Sequence, residues 1–389
     1  MARKPDGYGD GSVYESPKGS GRWVAQVPDG HGGYFRKRAK SEKDAIAAKA
    51  DLVRKHNEKN RLGLDLRGGL KPLEQFVIDE WWPACVKRKL APKTLEDYST
   101  TVEVYLLKDW GQYTLDEISV SLVHDIWNKL SEKYSEDRAH RVLGKLSMIL
   151  RAAKRRHYIA FNAVEDARPE LPTLNRKEPD PLTPVQTIAL LVAVETHRLC
   201  VLYHLALTLG LRLGELLGLQ WGDIDWEKKT LTIRRQVQEV RGQVEVKLGA
   251  KTDAGNRVLP LPPRIMARLE ALPRTSLFLF PSDEGTIMAP SNFERHFRGG
   301  RSNKHSVMVG MRQKAGLPAT VKFHHLRHTA STRIMELGTP DEIRDRIFGW
   351  GKKKNIRYHY SHATLDAMRR VIEDHEGAMW KAAAACALI

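Results

Sequence analysis

Cysteine is scarce in this chain of 389 residues: there are three, at positions 85, 200 and 386, and no Cys-x-x-Cys pair. The odd count and wide spacing argue against a disulfide framework or a cysteine zinc site, and they indicate a reducing cytoplasm. Long apolar segments are also missing. The longest nearly apolar run, residues 199–211, contains His204 and is well short of the ~20 residues that cross a bilayer. The first residues, MARKPDGYGDGS, hold no apolar core, so we expect neither a signal peptide nor a membrane partner.

Acidic residues are outnumbered, with 47 Asp and Glu against 64 Lys and Arg, which gives a formal net charge of +17. A chain this basic should attract a polyanion, and nucleic acid is the commonest one. Residues 301–360 alone hold 13 basic and 4 acidic residues. Solubility is the alternative explanation, but the local excess favours a phosphate-binding surface. With 41% hydrophobic and 29% charged residues, the composition is that of a globular protein of two or three domains.

Residues 1–65 contain three short runs of alternating apolar and polar residues, then a helical pattern that begins after Ser41. This order predicts a three-stranded sheet followed by a capped helix. Basic side chains on such a sheet could lie in a DNA groove, although an exposed basic hairpin with no partner is the alternative. The candidate DNA-binding residues of this segment are Arg22, Arg36, Lys37 and Arg38.

Residues 66–167 show apolar residues at three- and four-residue spacing, which is typical of amphipathic helices. The simplest architecture is a compact four-helix module. Its predicted helices are 73–82, 94–106, 120–133 and 136–156. The last helix ends in a basic cluster that we assign to DNA binding, namely Lys154, Arg155 and Arg156.

Five of the 19 prolines fall between residues 168 and 184, so residues 168–182 are predicted to be an interdomain linker. Because this linker carries Arg176 and Lys177, we expect the modules on either side to clamp a duplex, with both residues binding DNA.

The last segment, residues 183–389, opens with Thr183 as a predicted N-cap and Pro184 at the first helical position. Residues 199–211 predict a core helix, and alternation predicts three strands. These strands are residues 231–233, 243–246 and 257–261. The segment is therefore α+β, and the whole chain is predicted to be multidomain and mainly α with small antiparallel sheets.

Four motifs of the last segment carry candidate chemistry. Arg212 and Glu215 lie three residues apart after Gly210, and a surface ion pair is the plain alternative. Lys251 is predicted in the turn between the second and third strands, where a solvated lysine is ordinary. His324, Arg327 and His328 share one helix face. An anion suits that face better than a metal, because the carboxylate of a zincin helix is missing and a guanidinium repels cations.

The fourth motif follows Trp350 and places Tyr358 and Tyr360 in a basic segment. The neighbouring cations would lower the pKa of the tyrosine phenol. We expect such a tyrosine to lie beside an anion. A tyrosine that packs on the domain edge is the alternative.

Together and in this order, Gly-Leu-Arg-Leu-Gly-Glu-Leu, Lys-Thr, His-x-Leu-Arg-His-Thr and Tyr-x-His-x-Thr resemble the motifs of the tyrosine recombinase, or phage integrase, family. The resemblance covers the last segment throughout and the two preceding modules more loosely. It implies that Arg212 and Arg327 hold the scissile phosphate, that Lys251 is the general acid for the leaving 5′-oxygen, and that His324 is a general acid/base. It also implies that Glu215 supports the first arginine or a histidine.

Two further positions follow from the resemblance. Trp350 stands where the family usually has a second histidine, and its indole N–H can donate a hydrogen bond to phosphate but cannot transfer a proton. The step from Trp350 to Tyr360 is one residue longer than usual, and that to Tyr358 is one residue shorter. We prefer Tyr360 as the nucleophile because it fits the Tyr-x-His-x-Thr pattern and a predicted helix follows it.

The resemblance implies a site-specific integrase of a phage or mobile element that needs neither cofactor nor metal. The partners would be double-stranded DNA at attachment sites, three further copies in a tetramer, and DNA-bending or directionality proteins, in the cytoplasm of a bacterial host. Residues 1–65 would bind arm sites, residues 66–167 would bind core sites, and residues 183–389 would be catalytic. A DNA-binding protein without catalysis and a type IB topoisomerase are the rival interpretations. The complete motif set argues against the first, and the N-terminal modules argue against the second.

Overall fold

The structure is a computed structural model, and it describes residues 11–28, 33–61, 63–174, 180–249, 256–301, 307–350 and 364–385. The chain divides into two compact units, Met1–Arg176 and Lys177–Ile389. Among the described residues, no helix has both the length and the apolar character needed to cross a bilayer.

The first unit begins with the predicted three-stranded sheet, which is antiparallel in the order β1-β2-β3. One helix packs on one face of this sheet, where Ala25, Val27, Phe35 and Leu52 form a small core. The Oγ of Ser41 accepts a hydrogen bond from the backbone N–H of Asp44, so the predicted helix cap is present. The elements are β1 (Ser12–Glu15), β2 (Trp23–Pro28), β3 (Tyr34–Ala39) and α1 (Glu42–Arg61).

The rest of the first unit is helical, as predicted, and its core contains Phe76, Trp81, Leu106 and Leu146. The helices are α2 (Leu66–Gly69), α3 (Leu73–Phe76), α4 (Trp82–Lys87), α5 (Pro92–Val102), α6 (Lys108–Trp110), α7 (Val120–Lys133), α8 (Glu136–Arg155) and α9 (Ala163–Ala167), followed by the 3₁₀ turn Arg168–Glu170.

Two π-helical turns interrupt this module, Val77–Trp81 between α3 and α4, and Glu103–Leu107 between α5 and α6. The predicted helices 73–82 and 94–106 are therefore present but not regularly wound. The first wide turn accommodates Pro83, which lies in the first turn of α4. Proline has no N–H to donate, and its ring would clash with the carbonyl four residues earlier in a regular α-helix.

The second unit combines helices with small antiparallel sheets. Thr183 caps its first helix with a reciprocal Gln186 contact, and all nine residues of the predicted core helix α11 are buried. Its first half contains α10 (Pro184–Val194), α11 (Cys200–Thr208), α12 (Leu213–Leu217), the 3₁₀ turn Trp221–Asp223, β4 (Ile224–Asp225), β5 (Thr230–Ile233), β6 (Arg235–Val240), β7 (Gln243–Leu248) and β8 (Arg257–Pro260). Its second half contains α13 (Pro263–Glu270), α14 (Pro290–Arg298), β9 (Gly299–Arg301), β10 (Val307–Val309), α15 (Met311–Lys314), α16 (His324–Glu336), α17 (Asp341–Phe348) and α18 (Leu365–Ala385).

The three predicted strands of this unit exist, but they belong to two sheets. One sheet has the order β4-β5-β8, and β7 pairs instead with β6, a strand that the sequence analysis did not predict. Among the described residues β7 and β8 are not partners, so the second and third predicted strands do not form a hairpin; Lys251, predicted in the turn between them, lies outside the described residues. Strand β6 was missed because its residues, Arg-Gln-Val-Gln-Glu-Val, are mostly polar.

Candidate active site

Arg212 stands at the start of α12 in extended backbone, and Glu215 lies in the first turn of that helix. The Glu215 carboxylate accepts hydrogen bonds from the backbone N–H of Arg212 at 3.0 Å and from its guanidinium at 2.8 Å. The side chain of Arg212 is 38% exposed, whereas that of Glu215 is 4% exposed. The pair is therefore not the ordinary surface pair of the alternative interpretation: its carboxylate is internal, and only its cation reaches the surface.

Arg257, at the start of β8, is a further neighbour of Glu215 that no sequence motif identifies. Its guanidinium is fully buried and donates to both oxygens of Glu215, at 2.9 and 3.2 Å. Its Nε donates to the carbonyl of Ile347 at 2.8 Å. Burial by itself would raise the pKa of Glu215, but the charge and hydrogen bonds of Arg257, and then those of Arg212, lower it to about 2. Glu215 is therefore an anion at neutral pH.

Arg327 lies in the first turn of α16 and is 5% exposed. It donates to two main-chain carbonyls, that of Gly210 at 2.7 Å and that of Phe348 at 2.5 Å. Its guanidinium also lies 5.2 Å from the centre of the Phe348 ring. Burial first, and then the charge of Arg212, lower the pKa of Arg327 to about 9. The fold thus brings the loop before Arg212, the start of α16 and the end of α17 to one place.

His324 is one turn before His328 on α16, and the two rings meet edge to face at 4.9 Å. Burial, followed by electrostatic interaction with His328, Arg327 and Arg212, lowers the pKa of His324 to about 4. His324 is therefore neutral at pH 7 and free to accept a proton. His324 and Arg327 lie three residues apart in the first turn of α16, so both are at the same end and on the same face of that helix.

Trp350 follows α17 directly after Gly349, which ends that helix in the left-handed conformation. The indole stacks on the Phe348 ring at 5.1 Å and is 6.0 Å from the Arg327 guanidinium. The residue is 37% exposed. The structure therefore brings Arg212, Glu215, His324, Arg327 and Trp350 to one site.

Five candidates lie outside the described residues. They are Lys251, Tyr358 and Tyr360 of the catalytic set and Arg176 and Lys177 of the linker.

The basic candidates of the first unit lie mainly on its surface. Arg22, Arg36, Lys37 and Arg38 are exposed on or beside the three-stranded sheet. In the register of the sheet, Arg36 is opposite Gln26. Because side chains alternate along a strand, Arg36 and Arg38 share the face opposite to that of Phe35, which α1 covers.

The end of α8 divides its three basic residues between two environments. Lys154 and Arg155 are exposed. Arg156 is held within the module, since its Nε lies 3.0 Å from the Glu80 carboxylate and it donates to the carbonyl of Ala152 at 3.1 Å. Arg155 and Arg156 also line a groove of about 250 Å³ between α4 and α8. Further arginines that line this groove are Arg88 and Arg151.

One potential metal-ligand group occurs among the described residues. Glu195, Cys200 and His204 place ligand atoms within 4.8 Å of one another. The guanidinium of Arg268 already pairs with both Glu195 oxygens, at 3.0 and 3.1 Å, and lies 3.5 Å from the sulfur of Cys200. A fixed positive charge at that place opposes a cation, and we assign no metal to it.

Comparison with known proteins agrees with this geometry. The model of the phage integrase family matches residues 181–366, and the model of the phage integrase central domain matches residues 75–170. The chain belongs to the phage integrase family of tyrosine recombinases. A relative in this family is the tyrosine recombinase XerC-like protein of Caldanaerobacter subterraneus subsp. tengcongensis, 29% identical over 198 residues. That match spans 46% of this chain and 50% of the relative.

Two solved integrase structures share the fold. The Tn1549 transposon integrase in complex with a circular intermediate DNA has a TM-score of 0.62 and 20% identity, with 78% of this chain and 99% of that chain covered. The lambda integrase tetramer bound to a Holliday junction has a TM-score of 0.55 and 18% identity, with 90% and 96% covered. The predicted fold class, mainly α with small antiparallel sheets and an N-terminal three-stranded sheet, is confirmed.

Proposed function

We propose that this integrase is a site-specific recombinase that cleaves and rejoins DNA through a 3′-phosphotyrosine, with Tyr360 as nucleophile. The observation that carries the proposal is the pair of bonds from Arg327 to the carbonyls of Gly210 and Phe348. They hold one buried guanidinium beside the loop of a second, half-exposed one, Arg212. Two positive donors, together with a neutral histidine one turn before Arg327, suit a phosphodiester that gains negative charge during attack.

The reaction needs only the side chains of the chain and its DNA. The tyrosine oxygen attacks phosphorus, a P–O bond forms, and the bond to the 5′-oxygen breaks. Lys251 would protonate that leaving oxygen, while neutral His324 would accept the phenol proton. The covalent bond keeps the energy of the phosphodiester, and the 5′-hydroxyl of another duplex reverses the step. Trp350 would donate its indole N–H to a phosphate oxygen. Loss of either arginine should lower the rate by ~10²–10³.

The remaining modules would supply affinity and register. In this proposal residues 1–65 bind arm sites, residues 66–167 bind core sites, residues 168–182 link them, and residues 183–389 form the catalytic domain. The exposed Arg36, Arg38 and Arg155 would contact phosphates or bases. The fold shared with the lambda integrase tetramer supports assembly of four copies on DNA. DNA-bending and directionality proteins would act at the attachment sites.

The test uses nicked duplexes that tile the DNA on either side of the gene for this protein. A nick lets the short fragment that carries the released 5′-hydroxyl dissociate. Because that hydroxyl can no longer reverse the step, a cleaving enzyme remains covalently attached. We expect a denaturation-resistant protein–DNA adduct with one or a few duplexes, formed in EDTA as well as in Mg²⁺. The Tyr360→Phe variant should give no adduct, and Tyr358→Phe should give one.

Other results would contradict the proposal. Adduct formation that persists in Tyr360→Phe and is lost in Tyr358→Phe would identify the other tyrosine. Tight binding of a duplex without an adduct would indicate a DNA-binding protein that does not cleave. Relaxation of supercoiled DNA of any sequence would indicate a topoisomerase.

A further inference from the structure

The Glu215 carboxylate is shared between two arginines. It accepts four hydrogen bonds, two from Arg212 and two from Arg257. A carboxylate has about four lone-pair sites, so both oxygens are saturated. The two guanidiniums differ in access, since the side chain of Arg257 is fully buried and that of Arg212 is 38% exposed. The three side chains carry a net charge of +1, and the surface-exposed part of that charge is on Arg212.

We propose that Arg257 is a positioning residue that neutralises Glu215 and so leaves the charge of Arg212 available to the scissile phosphate. The inference rests on the proposed recombinase function. Without Arg257, Glu215 would have Arg212 as its hydrogen-bonded cation, and this pair would be neutral. Arg212 would then be held by a carboxylate that competes with the phosphate for the same N–H groups.

A second contact extends the role of Arg257 to the other arginine. Its Nε donates to the carbonyl of Ile347, and the next residue, Phe348, provides a carbonyl that holds Arg327. One buried guanidinium thus joins the start of α12 to the end of α17. Both supports of the phosphate-binding arginines, Glu215 and the α17 terminus, are bonded to Arg257.

A purely structural role for Arg257 predicts a different result from the electrostatic role. If Arg257 only stabilised the fold, the neutral Glu215→Gln change could recover stability, because it removes a buried unpaired charge, but it would leave the cleavage rate of the folded protein unchanged. If Arg257 offsets the charge of Glu215, the neutral Glu215→Gln change should release Arg212 and restore part of the rate that the Arg257→Met change removes.

The experiment measures adduct formation on the nicked duplex that gives the highest yield with the unaltered protein. Arg257→Met should lower the single-turnover rate by about 10², the effect expected when Arg212 is no longer available to the phosphate as a preorganised donor. The double variant Arg257→Met/Glu215→Gln should be at least tenfold faster than Arg257→Met. Arg257→Lys keeps the charge without the bidentate geometry and should lie between Arg257→Met and the unaltered protein.

Arg235→Met is the matched control for loss of an internal ion pair. Arg235 pairs with buried Asp223 at 2.6 Å in the same unit, and it also donates to the carbonyl of Gly218. This variant should lose heat stability and keep the cleavage rate within threefold of the unaltered protein. The proposal is wrong if Arg257→Met is as fast as Arg235→Met, or if the folded double variant is no faster than Arg257→Met.

A readout without catalysis separates this inference from the proposed function. Pyrophosphate, as a probe of the anion site, should raise the melting temperature of the unaltered protein. The increase should be smaller for Arg257→Met, and for the double variant it should be larger than for Arg257→Met. If this order appears without any DNA adduct, the electrostatic role of Arg257 holds and the recombinase proposal fails. If adducts form with the unaltered protein and the order is absent, the role of Arg257 is refuted alone.

Discussion

At residue 210 the site has no room for a side chain. Gly210 has a φ of +61°, and a Cβ there would lie 2.2 Å from the Phe348 ring. Its carbonyl accepts from Arg327, and Phe348 provides the other carbonyl that Arg327 binds. A substitution at Gly210 would therefore displace both supports of Arg327 as well as strain the backbone.

The Gly210→Ala variant should be less stable by about 2–4 kcal/mol, the sum of left-handed strain and overpacking. Its rate of DNA adduct formation should fall by at least tenfold. Urea unfolding and the nicked-duplex assay measure the two effects.

Gly242→Ala is the control for Gly210→Ala. Gly242 has a φ of +75° in the turn of the β6–β7 hairpin, and nothing lies within 4 Å of the position of a Cβ. Gly242→Ala should lower the free energy of unfolding only by the added backbone strain, about 1–2 kcal/mol, and should keep the cleavage rate of the unaltered protein. Equal rates for the two variants would show that the supports of Arg327 tolerate displacement.

Among the elements, the end of α8 shows that neighbouring basic residues need not share a role. Arg155 is exposed, whereas Arg156 pairs with Glu80, a carboxylate that also binds Lys71 at 2.5 Å. From the sequence, Lys154, Arg155 and Arg156 are predicted to form one DNA-binding cluster. The environments in the structure separate Arg156 from the other two.

Arg155→Ala should weaken DNA binding and reduce the slope of log K against log salt by about 0.9, the value for one phosphate contact. Arg156→Ala should instead lower stability by about 1 kcal/mol, because it breaks a partly exposed pair with Glu80. Fluorescence anisotropy at several salt concentrations and thermal unfolding measure these effects. The assignment is wrong if the salt slope changes more in Arg156→Ala than in Arg155→Ala.

Elements set by local signals could be predicted from the sequence. The Thr183-Pro184 cap, the apolar run over α11 and the alternating strands of the N-terminal sheet are all local patterns. Strand β6 could not be predicted, because its pairing with β7 is decided by tertiary structure and its residues are polar.

The candidate site also contains residues that could be predicted from the sequence and one that could not. The motifs identified Arg212, Glu215, His324, Arg327 and Trp350, which the structure brings together. Arg257 could not be found, because nothing in Asn-Arg-Val-Leu-Pro marks an arginine as buried; its partner lies 42 residues away in sequence. The roles of Lys251 and Tyr360 remain predictions.

For the molecule as a whole, buried histidines make stability depend on pH. Burial is the main reason why the pKa of His204 falls from 6.5 to about 4, and nearby Arg268 adds to the effect while Glu195 opposes it. Between pH 6.5 and 4 the unfolded chain binds a proton that folded His204 does not. Stability therefore falls as the pH falls through this window. Glu376, whose pKa burial raises to about 7, has the opposite effect between pH 7 and 4.5.

The His204→Leu variant should lose less stability than the unaltered protein when the pH changes from 7 to 5. The difference should be about 1–2 kcal/mol, since His204 is 1% exposed. Urea unfolding of both proteins at pH 7 and at pH 5 measures this difference in the free energy of unfolding.

Tyr203→Phe is the control for His204→Leu, because it alters the adjacent buried residue of α11, whose pKa burial raises. Its free energy of unfolding should change by the same amount at both pH values. An unchanged pH dependence in His204→Leu would contradict the assignment.

The two carbonyl bonds of Arg327 have a practical consequence for anyone who wants to trap this integrase on DNA without turnover. Replacing Arg327 would remove the two bonds that join the loop before α12 to the end of α17. The arrested complex would then differ in structure from the native one. Arg212 is partly exposed at the start of its helix, and truncating it would leave the two carbonyl bonds of Arg327 in place. An inactive version for cryo-microscopy should therefore be made at the accessible arginine or at the tyrosine.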